Sequence, residues 1–167
     1  MSGASNGWNT SLDIVEGIWG FALVIQGQIR EGIHRVEQTI LRCDREGYTI
    51  LADLYRLLLC EIYLEIITGK EKAPLLILVR NAPTLIAVMF TAQNRICALA
   101  ERARQNHQFD PNGFHIARVE TILGLLCKVK NKRALALQHL TEAKRIATQF
   151  GPTPTLARIE GALAELA

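Results

Sequence analysis

Apolar residues recur at intervals of three and four along nearly the whole chain, the strict alternation of a β-strand is absent, and Gly or Pro falls at helix-length intervals. The pattern predicts an all-α chain with helices at about 11–26, 28–46, 49–68, 74–106 with a break near Pro83, 112–130, 132–149 and 154–166. Asp110-Pro111 reads as a helix start, the Asp carboxylate accepting from orphan amides while Pro fits the first helical position. Gly151-Pro152 reads as a stop. Met1 to Gly7 reads as a small-residue, disordered tail, leaving 8–167 as a single helical domain.

Two stretches repeat one spacing. Gly20, Leu23, Gly27, Gly32, Val36 and Thr39 align without a gap on Gly124, Cys127, Asn131, Ala136, Leu140 and Ala143. An antiparallel helix pair approaches closely only where small side chains face each other, and larger residues fill the space beside that contact. Each Gly in a helix interior costs about 1 kcal/mol relative to Ala, so Gly20 and Gly32 call for a packing reason. These are the spacings of the tetratricopeptide (TPR) repeat. They predict a TPR-like helical-repeat array, an α-α superhelix of about seven helices.

A middle unit places Leu59, Cys60 and Tyr63 where the first has Trp19, Gly20 and Leu23. Its second helix departs from the pattern, with Lys72 at the small position and an overlong 74–106 segment. The last helix carries Leu156, Ile159, Leu163 and Leu166 on one stripe, which suits a C-terminal cap.

First helices of such an array line a concave groove. The spacing assigns to it Ile14, Gly17, Phe21, Val24 and Ile25, then Leu54, Leu57, Glu61, Leu64 and Glu65, then Arg118, Thr121, Leu125, Lys128 and Val129. Phe21, Glu61, Glu65, Arg118, Thr121, Leu125 and Lys128 are the partner-groove candidates, for a protein segment or another domain of the same parent chain. Glu61 and Glu65, one turn apart, are expected to pair with Arg118 or Lys128 across the groove, or with a basic side chain of a bound peptide. A weak homodimer through the Leu12 to Ile25 helix is a further expectation, because Ile14, Phe21, Val24 and Ile25 carry no charge.

Composition narrows the chemistry. At 167 residues, 49% apolar and 21% charged, the chain has globular proportions, and 19 basic against 16 acidic residues leave a net +3. That charge is too slight to mark a nucleic-acid partner, and Lys128, Lys130, Lys132 and Arg133 read as a solvated inter-helix turn. Cys43, Cys60, Cys97 and Cys127 are scattered, with no C-x-x-C, and the N-terminus lacks a secretory pattern, so the reading is reduced thiols in the cytoplasm. Ile18–Ile25 is too short to cross a bilayer, and Leu75–Met89 is interrupted by Arg80, Asn81 and Pro83, so no membrane partner is expected.

Serine occurs only at Ser2, Ser5 and Ser11, which argues against a serine hydrolase. Gly69-Lys70 is not a Walker A loop, because Leu64 and Glu71 stand where Gly and Ser or Thr belong. His107, Asp110 and His115 offer ligand chemistry at a spacing that matches no zinc motif, and they read as an ordinary turn. No cofactor, metal or catalytic residue is expected.

Several segments carry a family resemblance: Tyr55-Arg56, Glu61-Ile62-Tyr63-Leu64-Glu65-Ile66, Gly69 and Glu71-Lys72-Ala73-Pro74, then Asn106-His107-Gln108-Phe109-Asp110-Pro111, His115, Leu123-Gly124-Leu125-Leu126 and His139-Leu140-Thr141-Glu142-Ala143. From about Trp8 onward the chain resembles the C-terminal TPR-like region of large bacterial signalling proteins with an N-terminal class III adenylate/guanylate cyclase domain and a central AAA-type ATPase. The resemblance implies a non-catalytic regulatory or partner-sensing module beside a cyclase. The family's metal-binding aspartates and phosphate loop have no counterpart here. An alternative is a small-molecule sensor with its pocket at the irregular 74–106 segment.

Overall fold

The computed structural model describes residues 4–69, 75–151 and 153–167. Among these residues seven α-helices run in order: α1 (Ala4–Ile25), α2 (Ile29–Glu46), α3 (Thr49–Thr68), α4 (Leu75–Arg104), α5 (Phe114–Val129), α6 (Arg133–Ala147) and α7 (Pro154–Ala164), with a short 3-10 turn at Thr148–Phe150. No strand occurs among the described residues. Helix α1 begins at Ala4, inside the stretch expected to be a tail; no proline interrupts 4–25, so nothing stops the helix short of its start. Residues 1–3 of that stretch lie outside the described residues.

Sequential helices pack as pairs, α1 on α2, α3 on α4 and α5 on α6, with α7 against α6. Contacts of α3 with α5 and of α5 with α7 link the pairs along one side. Close approach explains the glycines. A Cβ on Gly32 would stand 2.5 Å from the Gly20 carbonyl oxygen and 2.8 Å from the Val24 amide nitrogen, so α1 and α2 touch backbone to backbone. At Gly124 a Cβ would meet Leu140 Cγ at 2.7 Å.

The turns after α1 and α5 match bond for bond. Gln28 N donates to Leu23 O at 2.8 Å and Gly27 N to Val24 O at 2.9 Å; Lys132 N donates to Cys127 O at 2.9 Å and Asn131 N to Lys128 O at 3.0 Å. Gly27 has φ 81° and Asn131 φ 54°, the left-handed conformation that lets a helix end and reverse.

Two boundaries differ from the sequence expectation. Asp110 does not cap α5. Its carboxylate accepts from the Asn112 amide at 2.9 Å while Gly113 N donates to Asp110 O at 2.7 Å, a tight turn that delays the helix to Phe114. Helix α4 runs unbroken through Pro83. Asn81, two residues before Pro83, donates to both Gly27 O of the α1–α2 turn at 2.8 Å and Ile77 O at 2.9 Å, pinning this half of α4 to that turn. Continuity through Pro83 also means that, by length and composition, Leu76–Arg104 is long and apolar enough to cross a membrane, with 17% of its apolar window buried. Val88, Ala92, Ile96, Ala100 and Ala103 are the buried apolar residues that α4 contributes to the core, beside Leu57, Tyr63, Ile122, Leu126 and Leu140.

Charges are folded into this core as pairs. Arg56 and Asp53, both buried, pair on α3; Arg56 also reaches Asp44 on α2, and Asn106 donates to Asp53 at 2.6 Å. Asp13, buried on α1, pairs with Arg42 at 2.8 Å. Removing one partner of such a pair leaves an uncompensated buried charge and costs about 3–5 kcal/mol.

Candidate interaction groove

Helix α3 is apolar on almost every side, and its few charges point where neighbouring helices meet it. Glu61 accepts from Arg118 of α5 at 2.9 Å and 3.1 Å. One turn on, Glu65 accepts from Arg158 of α7 at 2.6 Å. Lys128 of α5 pairs with Glu165 beyond α7, so three ion pairs stitch α3, α5 and α7 along one face. The paired glutamates are therefore bridged internally, Glu61 by Arg118 and Glu65 by Arg158 in place of Lys128.

Between these pairs opens a cleft of about 360 Å³, its apolar lining contributed by Leu64, Ile67, Leu125 and Val129 and its polar rim by Lys128 and Arg158. The structure thus gathers Leu125 and Lys128 at one site, with Glu65 joined to it through Arg158 and the Glu61–Arg118 pair farther along α3 and α5. Thr121 does not belong to it. Its hydroxyl donates to Ala117 O of its own helix at 2.7 Å and the side chain is buried, satisfied within α5. Phe21 also lies elsewhere: half-buried on α1, it packs against the core instead of facing a groove.

A second cleft, about 850 Å³, separates α2 from the middle of α4. At one end Tyr63, fully buried, donates to Glu37 at 3.1 Å, and Arg95 reaches both Glu37 at 2.5 Å and the Tyr63 hydroxyl at 2.6 Å. Burial, with the Glu37 charge behind it, pushes the Tyr63 phenol up to about 12. Arg30 and His34 line the opposite wall.

A third, of about 440 Å³, lies beside the α4–α5 connection. Glu120, buried on α5, holds His139 Nδ1 at 2.7 Å, with Arg104 at 3.5 Å. Sequence reading missed this pair; its signal was the repeat alignment itself, which sets Glu120 and His139 on Glu16 and Arg35, a second pair bridging its own helix hairpin at 2.9 Å. His115 stacks on Phe109 at 4.6 Å between ring centres, and its buried Nδ1 has no hydrogen-bond partner. Burial, followed by the Arg118 charge, pushes the His115 imidazole below its ordinary value. His107, Asp110 and His115 form no group of three metal-ligating residues, nor does any other set among the described residues.

All four cysteines are free thiols. Cys43 and Cys60 are buried, and burial raises both, Cys43 to about 11. Burial thus favours the neutral thiol form of both at neutral pH. No protein-family model, curated protein or solved structure matches the chain.

Proposed function

We propose that the chain is a TPR-like helical-repeat module that binds a protein segment or a neighbouring domain in the groove of α3, α5 and α7, with α7 as the C-terminal cap. The observation that carries this reading is the equivalence of the α1–α2 and α5–α6 hairpins: Gly20 against Val36 matches Gly124 against Leu140, and a left-handed residue stands at the same turn position with the same two hydrogen bonds. Stacked hairpins of this kind bury a continuous core and leave one helix of each pair to line an extended surface. Leu64, Ile67, Leu125 and Val129 supply an apolar floor for a ligand side chain, and the Lys128 and Arg158 pairs a rim that orients charge. The module is regulatory and non-catalytic, working in the cytoplasm as the C-terminal part of an adenylate/guanylate cyclase-like signalling protein, the parent that its resemblance implies. A fold-level likeness carries no catalytic residue with it.

The experiment is a displayed random-peptide library panned against the chain, with enriched peptides titrated by calorimetry against the wild type and Val129→Glu. Binding lost in the variant supports the groove. No enrichment, or binding indifferent to Val129, contradicts it.

One observation favours a second reading, a small-molecule sensor. The α2–α4 cleft is bounded by Pro83, Thr84, Val88 and Arg95 of the overlong helix and is the most voluminous of the clefts described above. A bound metabolite would protect the amides around 84–95 from hydrogen exchange, whereas a groove peptide would protect α5 and α7.

A further inference from the structure

The outer face of α1 carries a surface that the groove does not use. Leu12, Val15 and Trp19 follow one another at helical spacing, as do Ile14, Ile18 and Ile25, and all six are exposed, Trp19 at 55% and Ile25 at 69%. The two acidic residues of this stretch sit on the other side: Asp13 is held by Arg42 at 2.8 Å and Glu16 by Arg35 at 2.9 Å. Gly17 lies under the Tyr55 ring and Gly20 against Val36, so the inner face is committed to α2 and α3. The outer face is therefore apolar and free of charge from Leu12 to Ile25.

We infer that this face is the interface of a twofold homodimer, α1 packed antiparallel on α1 of a second copy. The area is sufficient for it. The six side chains expose on the order of 700 Å² per chain, beyond the roughly 300–600 Å² of the largest patch on a typical monomer. Complete burial of both patches would reach on the order of 1,400 Å² at most, inside the range of about 1,200–2,000 Å² that stable interfaces need. A twofold interface sets each patch against itself, which a face without charge tolerates and a charged one does not. Helix α4 exposes a comparable patch, Leu76, Leu78, Val79, Ile86, Met89 and Phe90, but Pro83 in their midst removes the amide that would bond the Val79 carbonyl, and Arg80 lies at the margin. Burying that face dry strands a polar group; burying the face of α1 strands none. The midpoint of the stripe, Ile18 and Trp19, falls at the twofold axis.

Sedimentation velocity of the whole chain over a concentration series tests this. The wild type is expected to dimerise with a micromolar dissociation constant. Ile18→Lys and Trp19→Lys each place two like charges across the axis, weakening the dimer by about tenfold or more with unchanged far-UV circular dichroism. Phe90→Lys, on α4, leaves it intact. If one α1 variant misfolds, Val15→Lys replaces it. A wild type monomeric throughout overturns the inference, as does a dimer indifferent to Ile18 and Trp19 or one broken by Phe90→Lys. Flotation with phosphatidylcholine/phosphatidylglycerol vesicles provides the competing outcome: a monomer that floats, losing flotation with Trp19→Lys, assigns the face to a bilayer and overturns the dimer.

Discussion

Asn131 occupies, at φ 54°, the left-handed turn position that Gly27 occupies at φ 81°, and each is followed by an amide bonded to the carbonyl five residues back. Only Gly adopts that conformation without a steric cost; Asn tolerates it because its short polar side chain makes local bonds. Asn131→Gly is therefore expected to be neutral or to stabilise by a few tenths of a kcal/mol up to about 1 kcal/mol. Gly27→Ala should destabilise by about 1 kcal/mol or more, because strain is joined by contact with Ile77 Cδ1, 2.9 Å from the new Cβ. Urea denaturation of both variants measures the pair of signs.

The two helical glycines Gly32 and Gly161 should separate in the same assay. At Gly32 the new methyl meets backbone, 2.5 Å from the Gly20 oxygen, so Gly32→Ala forces α1 and α2 apart at a cost of about 1–3 kcal/mol. At Gly161, in exposed α7, nothing lies within 4 Å, and Gly161→Ala gains about 0.5–1 kcal/mol of helix propensity.

Glu61 and Arg118 join α3 to α5 at 2.9 Å and 3.1 Å in partly exposed surroundings. Solvent screening limits such a pair to about 0.5–1 kcal/mol of coupling, even with two bonds from one guanidinium. A double-mutant cycle with Glu61→Gln and Arg118→Met is expected to return that coupling and to lose part of it in high salt. Zero coupling would mean that the pair does not fix the α3–α5 spacing.

Acid stability should depend on His115. Burial and Arg118 lower its imidazole in the folded state below its ordinary value of 6.5. The unfolded chain then binds the proton first as pH falls, so this contribution is complete above pH 6.5 and is lost as pH drops through the lower folded value. His115→Phe removes this segment of the pH dependence. Thermal melts of both proteins between pH 7 and about pH 5 provide the comparison.

The helical skeleton was legible because period and punctuation agree: α3 spans Thr49–Thr68, the stretch its flanking turns mark out, and α2 and α6 follow closely. Gly20 and Gly32 announced a close helix pair because their propensity cost has no local return. Other features depend on what stands opposite. Asp53 and Arg56 look like an ordinary surface pair at i and i+3; the warning was that the rest of α3 is almost wholly apolar, so its charges have little water to face. Thr121 has a groove position by spacing, yet a hydroxyl can bond its own helix and turn inward, which spacing does not encode. Phe21 has the apolar pattern of an outward residue, but its neighbours Ile18, Trp19 and Ile25 take the exposed arc while it packs on the core. The bond from Asn81 to the Gly27 carbonyl, which anchors α4 beside Pro83, joins distant segments and has no local signal.

The central claim is that α3, α5 and α7 form a partner-binding face. Amide chemical-shift mapping of the isotopically labelled chain, titrated with a peptide selected by library panning, tests it most directly. The account predicts shifts concentrated at Leu64, Ile67, Leu125, Val129 and Arg158, around the cleft that these residues line. Shifts centred instead on Arg30, His34, Pro83 and Arg95, or no saturable shift with any selected peptide, would contradict it.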